Sequence, residues 1–209
     1  MERQVVGAIA AVLVIMPHVG AAQVRSSEAT VLTVRTYNNF GVSPEDLHAA
    51  QQEAAAVLRA VGIEIVWLDC WFGRREPAEA PRQCGQPREE GEIVLRLQSG
   101  NRNSSDRFVS MGFSLVGGAE PPYLSTVFPD VVQSVARGAA SDARRVLGLA
   151  IAHEMGHLLL NINQHAHSGL MRADWSRTEL RQHDASNWRF LGTEDIVIRE
   201  AAFHRVCRC

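Results

Sequence analysis

Residues 146–160, VLGLAIAHEMGHLLL, are apolar almost all the way round a helical wheel, yet they enclose His153, Glu154 and His157. A helix of that character belongs in an interior. An imidazole or carboxylate buried without a partner is costly, so the surroundings of this helix must satisfy three polar groups. Ser141-Asp142 supplies the amino-terminal cap and the helix runs through Leu160. Asn161 follows, a residue that tolerates the left-handed conformation with which helices end, so the chain can turn back at once.

The polar triplet reads His-Glu-x-x-His. Residues four apart lie one turn above each other, which lets two imidazole nitrogens reach one zinc ion at about 2.0 to 2.1 Å each. Glu154, beside the first of them, is left to act on water as a general base. A catalytic zinc takes three protein ligands and keeps one position open, so a third donor is required. His165 on the connection after the helix is the first choice and His167 the reserve, with Asp174 and Glu179 as further candidates.

The amino terminus reads as an export signal, residues 1–22: Arg3, then the apolar run Val5 to Met16, then Gly20-Ala21-Ala22 before Gln23. Secretion or delivery to a periplasm follows, with no membrane association beyond that signal. Export makes the cysteines candidates for disulfides. Cys70 and Cys84 bracket a loop whose closure would stabilise the fold by about 3 kcal/mol, whereas the pairing of Cys207 and Cys209 stays open. A formal charge of -2 with scattered Lys and Arg offers no nucleic-acid face, and a monomer is expected.

Residues 23–209 form one domain, with an upper part to residue 160 and a lower part from 161. Strands are expected at Val31–Tyr37, Ile63–Leu68, Glu92–Leu97, Val109–Val116 and Ser125–Phe128, the last stopped by Pro129. Ser43-Pro44-Glu45-Asp46 opens a helix to about Ala60, and Thr193-Glu194-Asp195 opens a last one to about His204. The four tryptophans read as packing, and His183 and His204 as surface residues.

After the helix and its downstream histidines comes Gly169-Leu170-Met171. That order is similar to the metzincin zinc endopeptidases, in which a Met-containing turn lies beneath the metal. Residues 112–130, GFSLVGGAEPPYLSTVFPD, resemble the edge strand, glycine-rich loop and next strand of the matrixin branch. The likeness covers roughly Val31 to Met171. Leu160 and Asn163 stand where the long metzincin motif has Gly and its third His, so with His165 the connection is two residues longer.

The resemblance implies an α+β fold: a mixed, twisted five-stranded sheet over a buried active-site helix, then a smaller carboxy-terminal subdomain with the Met-turn and last helix. It implies a secreted endopeptidase holding Zn2+ on His153, His157 and His165, with Glu154 as general base and Met171 in the Met-turn. An extended peptide or protein substrate would pair with the edge strand at Met111–Leu115, and Arg172 is the basic residue available as an oxyanion donor. Two competing readings keep the zinc: another hydrolase, or a structural module whose site is closed by both His165 and His167.

Overall fold

The computed structural model describes residues 29–70, 81–100, 110–182 and 184–207. The expected export signal, Trp71, Val109, His183 and Cys209 lie outside them. Strand β1 (Thr30–Asn38) leads through Phe40–Val42 to helix α1 (Pro44–Arg59), where Ser43 Oγ accepts from the Asp46 N–H and Pro44 starts the helix. Such a helical crossover lets the next strand, β2 (Ile63–Cys70), run parallel to β1. Strand β3 (Ile93–Leu97) pairs parallel on the other side of β1, β5 (Leu124–Val127) pairs parallel with β3, and β4 (Gly112–Ser114) lies antiparallel to β5. The order β2-β1-β3-β5-β4 is the expected mixed five-stranded sheet.

Alternation along β1 and β3 buries Leu32, Val34, Ile93, Leu95 and Leu97 in one core with α1 and helix α3 (Ala143–Leu160). Fourteen consecutive residues of α3, Val146 to Leu159, are buried, and Asp142 caps it by accepting from the Arg144 N–H at 2.9 Å. Helix α5 (Gly192–Cys207) buries Ile198 and Ala202 and packs against α3 and β1. No helix among the described residues is long and apolar enough to cross a membrane.

Helices α1 and α3 touch where α3 carries Gly148. A Cβ there would stand 2.5 Å from the Ala50 carbonyl oxygen and 2.5 Å from Glu53 Cβ, too close for either backbone to accept without separating the helices. Gly148→Ala is therefore expected to destabilise the chain by about 1–3 kcal/mol in urea denaturation, although alanine is the better helix former.

Two features depart from expectation. Helix α2 (Pro129–Ala139) fills a stretch read only as the end of a strand: Pro129 begins a helix instead of merely ending the ladder, and Val132, Ala136 and Ala139 form its buried stripe. Strand β4 is shorter than Val109–Val116, yet its pairing extends beyond its ends, with Phe128 N donating to Met111 O at 2.8 Å and Leu115 N to Leu124 O at 3.0 Å.

The Cys70–Cys84 disulfide forms, with Cα atoms 5.4 Å apart. It joins the end of β2 to a short 3-10 turn, Arg82–Gly85. Arg35, 1% exposed, holds the same region from beneath. Its Nε donates to Glu92 Oε2 at 2.7 Å, Nη1 to the Gln83 and Gln86 carbonyls at 2.8 Å each, and Nη2 to the Pro87 carbonyl at 3.2 Å.

Candidate metal centre

His153, Glu154 and His157 are all buried on α3, and the two histidines one turn apart bring their Nε2 atoms to 3.1 Å. Their opposite nitrogens face carbonyls: His153 Nδ1 lies 2.9 Å from Leu170 O, and His157 Nδ1 2.7 Å from Ile162 O. Carbonyl oxygens only accept, so both rings carry their proton on Nδ1 and present bare Nε2 lone pairs to each other. Two such lone pairs at 3.1 Å repel unless a shared cation lies between the donors. Burial pushes the His153 pKa down to about 3 and that of His157 downward too, each reinforced by the neighbouring His165, so the rings stay in the neutral form that binds metals.

The downstream segment supplies a third ring. Asn161 adopts the left-handed conformation at φ 53°, and its N–H closes the helix on the His157 carbonyl. The chain then curls back, pinned by Ala166 N donating to Met171 O at 2.8 Å, with Gly169 at φ 76°. This places the His165 ring centroid 5.3 Å from that of His153 and 4.9 Å from that of His157. One ligand atom from each of the three lies within 4.8 Å of the others, and theirs is the group of metal-ligating side chains that the described residues bring together. The set fits Zn2+: three imidazoles, two of them with backbone partners already fixing the tautomer that points Nε2 inward. His167 is exposed and outside the cluster, while Glu179 is occupied by Arg172 and by the cap of helix α4 (Arg177–Arg181).

Glu154 points to the sheet edge. Ser114 Oγ, on β4, lies 2.7 Å from Glu154 Oε2, 2.8 Å from the Glu154 carbonyl and 2.9 Å from Ser125 Oγ. Burial pushes the Glu154 pKa up to about 7, opposed by the hydrogen bond from Ser114. Gly112, two residues earlier on the same face of β4, leaves the carboxylate its room, since a Cβ there would stand 2.9 Å from both Cγ and Oε1. Beneath the helix Met171 is fully buried, and Gly156 lets it approach: a Cβ at Gly156 would stand 2.5 Å from Met171 Sδ and 2.7 Å from Phe190 Cε1.

A cavity of about 480 Å³ opens over the cluster, bounded by Gly112, Phe113 and Ser114 on one side and by Arg172, Asp174 and Trp175 on the other. Gly112 and Ser114 fall in the expected edge strand Met111–Leu115, but sequence reasoning missed their places against Glu154 and the position of Trp175 on the cavity wall. Trp175, expected as packing, does pack against the core and also lines the cavity, its ring edge-on to His153 at 5.7 Å. Arg172 is held by Glu179 at 2.9 Å and lies over the Trp188 ring. A larger hollow of about 810 Å³ beside the end of α3 contains none of the three histidines, and Arg205 in it donates to the Pro122 and Leu158 carbonyls.

Neither a protein-family model nor a curated protein matches the sequence. Solved structures do resemble it. A zinc-dependent peptidase from Methanocorpusculum labreanum superposes with a TM-score of 0.52 at 16% identity, over 79% of this chain and 99% of that one. The chain shares the fold of that protein. Metalloproteinase-II from Bacteroides fragilis gives 0.51 at 14% identity over 83% of this chain, which spans 53% of that longer protein. Archaemetzincin from Methanopyrus kandleri gives 0.49 at 15% identity, over 84% of this chain and 98% of that one. The fold shared with the first two structures arises here with little sequence in common, and two of the three clustered histidines sit on its buried helix α3 while His165 follows it.

Proposed function

We propose that this protein is a secreted, zinc-dependent endopeptidase of metzincin-like design. The observation that carries the reading is the convergence of three imidazoles on one point, two of them with bare nitrogens face to face, next to a buried carboxylate that belongs to none of them. His153, His157 and His165 would hold Zn2+. When bound there, the ion supplies a Lewis acid that polarises a carbonyl and acidifies water.

The remaining work falls to the chain. Glu154 takes a proton from the attacking water and returns it to the departing amine, a role suited to a carboxyl tuned by burial and aimed by Ser114. Strand β4 lies at the end of the sheet and, among the described residues, pairs only with β5. Its free side can take an extended peptide as an added strand, main chain to main chain. Phe113 and Leu115, 40% and 54% exposed, stand beside that path. Met171 would serve as the Met-turn residue beneath the ligands. The Cys70–Cys84 disulfide supports an exported protein.

Three histidines leave a coordination position open, which favours the enzyme over a closed structural site. Metal analysis of purified protein is the direct test. His165→Ala should lose bound zinc and chelator-sensitive hydrolysis of a peptide library, whereas His167→Ala should retain both; equal loss in the two variants would overturn the ligand set.

A further inference from the structure

Four buried N–H-bearing atoms near the cluster have no hydrogen-bond partner among the described residues: Nε and Nη2 of Arg172, and the indole Nε1 of Trp175 and of Trp188. They belong to one group of side chains. The two indoles meet edge to face at 5.1 Å, and the Arg172 guanidinium lies 5.4 Å from the centre of the Trp188 ring. Every unsatisfied atom in the group is a donor, so what the group lacks is an acceptor. Buried donors are almost always paired, and a guanidinium edge without a partner is a rare thing for a fold to keep.

Among the described residues no carboxylate fills the role. Glu179 Oε1 meets Arg172 through Nη1 at 2.9 Å, and Glu179 Oε2 is taken by the backbone N–H and hydroxyl of Ser176. That contact fixes the guanidinium with the Nε and Nη2 edge uncommitted. This edge is the one whose two parallel N–H groups match the two oxygens of a carboxylate. Arg172 and Trp175 both line the cavity that holds His153, His157 and Glu154.

We propose that Arg172, with the indole N–H groups of Trp175 and Trp188, forms a carboxylate-binding subsite beside the histidine cluster, so that a peptide in the cleft is recognised through an acidic group. The inference rests on the peptidase reading for the nature of its ligand. The carboxylate can come from an internal Asp or Glu or from the free end of the peptide. The donors are shielded from water in the free chain, and half-buried Trp175 is the side chain placed to move as the acid enters.

The test uses zinc-loaded Glu154→Gln protein, so that peptides bind without turnover. Short peptides in which one Glu or one Gln walks along an Ala/Gly background, each with a free or an amidated carboxy terminus, are titrated by calorimetry and tryptophan fluorescence. A peptide with the carboxylate correctly placed should bind on the order of tenfold to a hundredfold tighter than its amide counterpart, as for a hydrogen-bonded charge. The Glu and Gln arms report an internal acid; the free and amidated arms report a chain end. In Arg172→Met the preference should vanish, and in Arg172→Lys, which keeps the charge and a partner for Glu179, it should fall because the fork is gone. Equal binding of acids and amides, or a preference unchanged in Arg172→Lys, overturns the subsite. Hydrolysis by the unmodified chain is scored separately. Binding preference without cleavage would remove the peptidase reading and leave the carboxylate site standing, and cleavage without preference would do the reverse.

Discussion

Glu154→Gln is expected to leave the zinc content of the protein unchanged while lowering kcat by about two to four orders of magnitude, the span associated with loss of a general base. The amide has nearly the shape of the carboxylate and can still accept from Ser114, so the neighbourhood of β4 should stay as it is. What it loses is the ability to take a proton. Metal analysis beside peptide hydrolysis checks both halves. Retained turnover would show that another group moves the proton, and loss of zinc along with turnover would make Glu154 a ligand.

The second large effect lies outside the site. Replacing Glu92 by Leu strips Arg35 of its counter-charge while leaving the guanidinium 1% exposed and bound to the Gln83, Gln86 and Pro87 carbonyls and to the Tyr37 side chain. Breaking a buried pair from one side typically costs about 3–5 kcal/mol, because the remaining charge keeps its desolvation and loses its partner. Glu92 also accepts from the Glu89 N–H at 2.8 Å, which adds to the loss. The double variant Arg35→Met with Glu92→Leu should recover much of the stability, since two apolar side chains leave no charge behind. Urea denaturation of the three proteins measures this directly. Equal stability of Glu92→Leu and the unmodified chain would mean that the remaining partners of Arg35 suffice without the carboxylate.

Much of the architecture was legible in local patterns. The near-continuous apolar run of α3, the Ser-Pro-acid start of α1 and the β-branched run at Ile63 depend on neighbours within a few residues, and each element stands where its pattern put it. Cys70 and Cys84 were readable because few alternatives competed. His165 was favoured over His167 on the strength of the chain reversing at Asn161, and it is His165 that joins the other two rings.

The rest depends on distant encounters. Ser114 reaches Glu154 across 40 residues of sequence, and nothing near Gly112 announces that its missing side chain makes space for that carboxylate. Trp175 is apolar and aromatic wherever it falls, so its position on the cavity wall appears only when the downstream segment has folded against His153. Helix α2 was hidden by Pro129, whose effect on a strand and whose place at the start of a helix are two readings of one residue.

The imidazole tethers have a further consequence. The carbonyls that steady His153 and His157 belong to Leu170 and Ile162, at either end of the ribbon that carries His165. The posture of the two rings and the closure of the ribbon are accordingly coupled, so an ion held by the proposed ligands would also brace residues 162–170. Limited proteolysis with and without chelator measures the coupling: cutting within residues 162–170 is expected to be slower in the zinc-loaded protein.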